Sequence, residues 1–119
     1  MIQSKSFDFA VRAVKLAKHL QEEKKEFVIS KQVLRSGTAI GALIREAEHA
    51  ESRADFAHKM NIALKESNET LYWLDLLHHS SYIEKSSFTS IHSDCTELVK
   101  ILVSIVKTSK NKVAPRTSS

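Results

Sequence analysis

The chain has 119 residues, among them 18 lysines and arginines, 14 aspartates and glutamates, two glycines and one proline. That length is typical of one domain, and so few glycines and prolines exclude a multi-stranded sheet, whose turns need them. The charge is uneven, because four of the cations and no acid lie in residues 107–119. We predict an all-α domain over residues 1–110 and a basic, disordered tail over residues 111–119.

The first predicted helix runs from about Ser4 or Ser6 to Glu22. Apolar residues recur in it every three or four positions, which is the helical period, and we expect these to face the core: Phe7, Ala10, Val14 and Ala17. Four cations lie on neighbouring turns of the same helix. They form a predicted basic ridge: Lys5, Arg12, Lys15 and Lys18.

The second predicted helix begins at Ser30, which we expect to cap it. Its inward positions alternate by four and three residues: Val33, Gly37, Ile40, Ile44 and Ala47. Glycine within a helix costs about 1 kcal/mol relative to alanine, so Gly37 and Gly41 indicate a close approach, and antiparallel folding places the third helix opposite them. The alternative is a phosphate-binding loop at residues 36–38, but the P-loop ending and its preceding strand are missing.

The third predicted helix starts at Ser52, which forms a capping box with Asp55. Its inward positions extend over the whole helix: Phe56, Met60, Ala63, Ser67, Thr70, Leu74 and Leu77. The fourth helix starts at Ser86 or Ser87, and its inward positions are Phe88, Ile91, Cys95, Leu98, Leu102 and Ile105. Short connections between four such helices predict an antiparallel up-down-up-down four-helix bundle.

Two acidic residues, Glu66 and Glu69, interrupt the apolar pattern in the middle of the third helix. We expect them to form a structural ion-pair network with Arg35 or Arg45, either within the chain or across a subunit boundary. An active site and a cation site in a symmetric assembly are the alternatives.

Residues 71–77 of the third helix include six apolar side chains, although a helix of a monomeric bundle buries only one stripe. The surplus side chains lie on an outer strip: Ile62, Tyr72, Trp73 and Leu76. We predict that this strip is an oligomer interface. Scattered surface hydrophobes are the alternative.

Three segments, residues 36–47, 52–56 and 62–74, resemble the bacterial four-helix-bundle proteins encoded by intervening sequences in large-subunit (23S) ribosomal RNA genes. They read SGTAIGALIREA, SRADF and IALKESNETLYWL. The resemblance implies a homopentameric, ring-like assembly. It also implies a relationship to the accessory variability protein of diversity-generating retroelements, which binds nucleic acid and partners a reverse transcriptase.

No catalytic constellation is evident. The pairs Glu46-x-x-His49 and Asp75-x-x-His78 have the spacing of bundle metal ligands, but antiparallel pairing separates them by roughly 28 Å. We therefore expect no metal, no cofactor and no enzymatic activity. The absence of an apolar spanning segment or secretory signal, together with the single Cys95, predicts a cytoplasmic protein that does not contact a membrane.

Two functions remain open. The first is a homo-oligomeric accessory protein that binds RNA or DNA, with a nucleic-acid-processing protein as a further partner. Its predicted binding residues are the basic ridge and the C-terminal cations: Lys5, Arg12, Lys15, Lys18, Lys107, Lys110, Lys112 and Arg116. The second is a protein-interaction scaffold without nucleic-acid binding.

Overall fold

The structure is a computed structural model and describes residues 1–113. These residues form four helices: α1 (Ile2–Glu22), α2 (Ile29–Ala47), α3 (Arg53–His79) and α4 (Lys85–Val113). Each helix packs against its neighbours in sequence, and α1 also contacts α4. The predicted all-α four-helix bundle is therefore confirmed. None of the described helices combines the length and apolar character needed to cross a membrane.

Side-chain pairs show that α2 and α3 are antiparallel. Arg35 of α2 reaches Glu66 of α3, whereas Lys59, near the start of α3, reaches Glu46, near the end of α2. The helix α4 continues past residue 110 to Val113, and residues 114–119 of the predicted tail lie outside the described part of the chain.

The predicted inward faces of α2 and α3 are confirmed. All five positions given for α2 are buried, and so are six of the seven given for α3, with Phe56 half-buried. The α4 pattern holds with a shift at both ends, because Phe88 and Ile105 are half-buried and Val106 is buried instead.

The inward face predicted for α1 is wrong at two positions. Phe7 is 56% exposed and Val14 is 48% exposed, while Ala17 is buried. The residues that contact the core are Ile2, Ser6, Phe9, Ala13, Ala17 and Leu20. Because α1 carries two apolar stripes with the same spacing, periodicity alone does not determine which one is buried.

The predicted close approach at Gly37 and Gly41 is confirmed, but its partner is α1 and not α3. A Cβ atom at Gly37 would lie 2.8 Å from the Cβ of Ala13, and one at Gly41 would lie 3.3 Å from the carbonyl oxygen of Ser6. The two glycines therefore allow α2 to pack closely against α1.

The cap predicted for α2 is also wrong, since Ser30 lies inside the helix and Glu26 holds its first turn. The Glu26 carboxylate accepts hydrogen bonds from the N–H groups of Val28, Ile29 and Ser30 at 3.1, 2.9 and 2.7 Å. Burial opposes ionisation of this carboxyl, but the three backbone hydrogen bonds outweigh it and lower the pKa of Glu26 below its ordinary value.

The other two helix starts differ less from prediction. At α3, Ser52 Oγ accepts the N–H of Asp55 at 3.0 Å, as expected, whereas the Asp55 carboxylate accepts the N–H of Glu51 and not that of Ser52. Helix α4 begins at Lys85, ahead of the two serines proposed as its caps.

The acidic residues in the middle of α3 form the predicted ion-pair network, and Arg35 is the cation. Its guanidinium contacts Glu66 at 3.1 Å and also Glu69, which in turn accepts the indole N–H of Trp73 at 3.0 Å. Arg45, the other candidate, is exposed and forms no ion pair with the described side chains. Arg35 therefore joins α2 to α3 within one chain, while the hydrogen bond from Trp73 to Glu69 lies within α3.

Candidate nucleic-acid interface

A groove of about 680 Å³ lies between α1 and the connection from α3 to α4, and we call it the basic groove. Three cations and two histidines line it: Arg12, Lys15, His19, Lys24 and His78. Glu84 is the one acid in the lining. Because the charges of residues 1–106 balance, this concentration of cations is local and does not reflect the chain average.

The helical period brings three of these side chains to the groove. Arg12, Lys15 and His19 follow one another at spacings of three and four along α1, so they project from the same side of the helix. Lys24 comes from the turn that follows α1 and lines the same groove.

The connection from α3 to α4 forms the wall opposite α1, and the position of this wall depends on how α3 ends. The N–H of Tyr82 donates to the carbonyl of Leu77 at 2.9 Å, and the N–H of Ser81 donates to that of His78 at 3.0 Å. This is a Schellman motif, and Ser81 adopts the left-handed conformation with φ of 66°. The motif turns the chain back so that Tyr82 and Ile83 pack against the core beside Leu77.

The cations of the groove differ in how far they are already paired. Arg12 Nη1 lies 2.6 Å from Asp94 Oδ2, and Nη2 donates to Ser90 Oγ at 3.1 Å. Lys15 and Lys24 are exposed and make no ion pair with the described side chains. The two lysines are therefore the better placed to contact a phosphate.

His78 sits where the groove meets the core. Its ring stacks on that of Phe88, with 4.3 Å between centroids and 9° between planes. Its Nδ1 atom is buried and has no hydrogen-bond partner among the described atoms.

The structure brings together only part of the predicted nucleic-acid-binding set. Arg12 and Lys15 line the groove, whereas Lys18 is exposed outside its lining and Lys5 pairs with Glu97 of α4 at 3.0 Å.

The C-terminal cations lie elsewhere. Lys107 and Lys110 are exposed on the last turns of α4, at the opposite end of the bundle from the groove, because α4 runs antiparallel to α1. The side chain of Lys112 and the whole of Arg116 lie outside the described residues.

Sequence reasoning did not identify His19, Lys24 and His78 as groove residues. His19 continues the spacing of the ridge, so the pattern contained a signal for it. Lys24 lies in a charged turn and His78 is about 60 residues away in sequence, so only the tertiary fold reveals their positions.

The predicted interface strip on α3 is only partly exposed. Tyr72 is 58% exposed, while Ile62, Trp73 and Leu76 are half-buried. Trp73 packs against a core cluster that contains Val33 and Leu77, so it contributes to the bundle itself.

A second exposed apolar strip, which was not predicted, lies on α1. It consists of Phe7, Val11 and Val14, which are 56%, 38% and 48% exposed. The three residues recur at spacings of four and three, so they form one continuous stripe. It is the apolar stripe of α1 that does not face the core.

Comparison with known proteins identifies the family. The model of the 23S rRNA-intervening sequence protein family matches residues 1–104. The chain belongs to this family. This match confirms the resemblance found in residues 36–47, 52–56 and 62–74.

A solved structure gives the same result for the fold. It is the crystal structure of a protein of unknown function from the S23 ribosomal protein family of Bacteroides thetaiotaomicron. The sequences of that protein and of this chain are 60% identical. The match covers 90% of this chain and 99% of that one, with a TM-score of 0.89. Among curated proteins, no significant similarity is found.

Proposed function

We propose that this member of the 23S rRNA-intervening sequence protein family is a non-catalytic, cytoplasmic accessory protein that binds RNA or DNA through the basic groove. The observation that carries the proposal is the convergence of Arg12, Lys15, His19 and Lys24 in one concave site, although residues 1–106 as a whole carry no net charge. Phosphate contacts dominate the affinity of proteins for nucleic acids, and a cleft in which cations outnumber acids, here three to one, attracts an anionic ligand.

We further propose that the protein acts as a homo-oligomer, with five copies as the family resemblance implies. Tyr72 on α3 and the stripe of Phe7, Val11 and Val14 on α1 supply exposed apolar surface for contacts between copies. Several grooves on one assembly raise affinity through multivalency without any new contact, and the exposed Lys107 and Lys110 add charge to each copy.

The alternative is a protein-interaction scaffold that binds no nucleic acid. The α1 stripe supports it, since an exposed apolar helix face also fits a partner protein. The two functions make different predictions for the groove lysines, which a scaffold does not need.

Binding of fluorescently labelled RNA and DNA oligonucleotides, measured by anisotropy at about 50 mM salt, tests the proposal. The double variant Lys15→Ala and Lys24→Ala should bind on the order of tenfold more weakly than the unaltered protein. The matched control is Lys31→Ala with Lys65→Ala, which removes the same charge from exposed lysines of α2 and α3 outside the groove.

The control double variant should lose less than about threefold, because only the long-range part of the attraction changes. Equal losses in both double variants would remove the groove as the site. Absence of binding to either nucleic acid at low salt would favour the scaffold. A third double variant, Lys107→Ala with Lys110→Ala, measures the contribution of the end of α4.

A further inference from the structure

The floor of the basic groove is apolar, in contrast to its rim. Four side chains form the floor: Leu16, Tyr82, Ile83 and Ile91. Ile91 is 5% exposed, and the other three are half-buried and packed against the core clusters. The floor is therefore held in place by the bundle and leaves apolar surface accessible beneath the cations.

Resting on the proposed function, we propose that the basic groove binds single-stranded nucleic acid in preference to duplex, with one base on the apolar floor and its neighbouring phosphates at the cationic rim. A nucleotide has the matching character, since its phosphate is charged and the faces of its base are apolar. Proteins that bind single strands combine a basic groove with aromatic side chains on which bases stack, and Tyr82 is the aromatic side chain of this floor.

The size of the groove fits this role. Its volume of about 680 Å³ lies within the range of clefts that enclose ligands of drug size, which is more than a single phosphate requires. The exposed lysines Lys15 and Lys24 enter from α1 and from the turn after it, so a phosphate on that side of the base meets cations.

A duplex does not reach the floor. Its bases are stacked and paired inside the helix, and taking one out costs a few kcal/mol. The phosphates of a duplex lie on a convex surface and contact only the rim. A single strand presents unstacked bases at much lower cost, so only a single strand gains from the rim and the floor together.

The acid in the lining agrees with this arrangement. Glu84 lies in the connection before α4, whereas Lys15 lies on α1 and Lys24 in the turn after it. A carboxylate there repels a phosphate and accepts hydrogen bonds from a base amino group. The lysines thus favour the phosphate of a nucleotide, and Glu84 favours its base.

The test compares a labelled single strand of about twelve nucleotides with the same strand annealed to its complement, at equal salt. We expect the single strand to bind about tenfold more tightly. The variant Tyr82→Leu, which keeps apolar volume but removes the aromatic ring, should weaken single-strand binding about tenfold and leave duplex binding unchanged. Its matched control is Phe27→Leu, which changes an exposed aromatic residue outside the groove and outside the proposed contacts between copies and should change neither affinity.

A second measurement needs no variant. A 2-aminopurine base in the middle of the single strand should become shielded from acrylamide quenching when the unaltered protein is bound. Equal affinity for the two forms, equal loss of both in Tyr82→Leu, or unchanged quenching at saturation would overturn the inference while leaving nucleic-acid binding in place. Failure to bind either form would instead overturn the proposed function, and this inference with it.

Discussion

Gly37 of α2 and Ala13 of α1 approach so closely that a Cβ atom added at Gly37 would stand 2.8 Å from the Cβ of Ala13. Carbon atoms in favourable contact are about 3.5–4.0 Å apart, so a side chain at position 37 would push the helices apart. Ala13 follows Arg12 directly in α1, so the helix that packs closely against α2 is the one that carries Arg12 and Lys15 of the groove.

We expect Gly37→Ala to lower the free energy of unfolding by about 1–3 kcal/mol, because overpacking outweighs the ~1 kcal/mol gain in helix propensity. The double variant Ala13→Gly with Gly37→Ala moves the methyl group from one helix to the other and should recover part of the loss. Urea denaturation of the unaltered protein, both single variants and the double variant measures this coupling. Strictly additive effects would show that the two positions do not compete for space.

Glu26 should make stability depend on pH. Its pKa in the folded state lies below the ordinary value of 4.5, so its contribution is fully present above about pH 4.5 and is lost as the pH falls through the lowered pKa. At pH 7, Glu26→Gln should reduce the free energy of unfolding by about 1–2 kcal/mol, because the capping hydrogen bonds lose their charge.

The difference between the Glu26→Gln variant and the unaltered protein should narrow as the pH falls, and denaturation at neutral and acidic pH measures it. The control is Glu22→Gln, which changes an exposed carboxylate and should alter stability by less than about 0.5 kcal/mol. A difference that stays constant down to about pH 2 would contradict the role of the ionised carboxylate.

Asp94 should restrain nucleic-acid binding. Its carboxylate lies 2.6 Å from Arg12, so Asp94→Asn should free this guanidinium for a phosphate and raise affinity by roughly threefold to tenfold. The matched control is Glu46→Gln, which removes the same charge from the ion pair with Lys59 outside the groove. A similar rise in both variants would mean that only net charge matters.

Self-association is tested by the mass in solution. Light scattering should give a multiple of the chain mass of 13.4 kDa, and five copies is the multiple that we propose. Tyr72→Ser should lower the mass if the α3 strip is the interface, and Val14→Ser should do so if the α1 stripe is. Both side chains are about half exposed or more, so neither change should unfold the bundle. A monomer of the unaltered protein at micromolar concentration would contradict self-association.

The sequence predicts the fold more completely than the site, and the reason lies in the range of the interactions. The inward faces of α2 and α3 follow from one series of inward positions that runs the length of each helix, and Ser52 caps α3 through contacts only three residues away. These features are local. The α1 face is not, because the choice between its stripes of Phe9 and Phe7 depends on the other helices.

The site requires contacts between residues distant in sequence. Lys24 and His78 line the same groove only because the turns after α1 and α3 meet at one end of the bundle. The cap at Glu26 was missed for a different reason. Glutamate is not a usual helix cap, and its carboxylate reaches the first turn of α2 only because the N–H of Glu26 bonds back to the carbonyl of Leu20 at 2.9 Å.

Titration of the isotope-labelled protein with a short single-stranded RNA, followed by amide chemical shifts, tests binding at the basic groove most directly. We expect the largest shifts in residues 12–24 of α1 and its following turn and in residues 78–87 around the connection to α4. Those shifts should disappear in the double variant Lys15→Ala and Lys24→Ala. The absence of shifts at low salt, or shifts confined to the α1 stripe of Phe7, Val11 and Val14, would contradict the account.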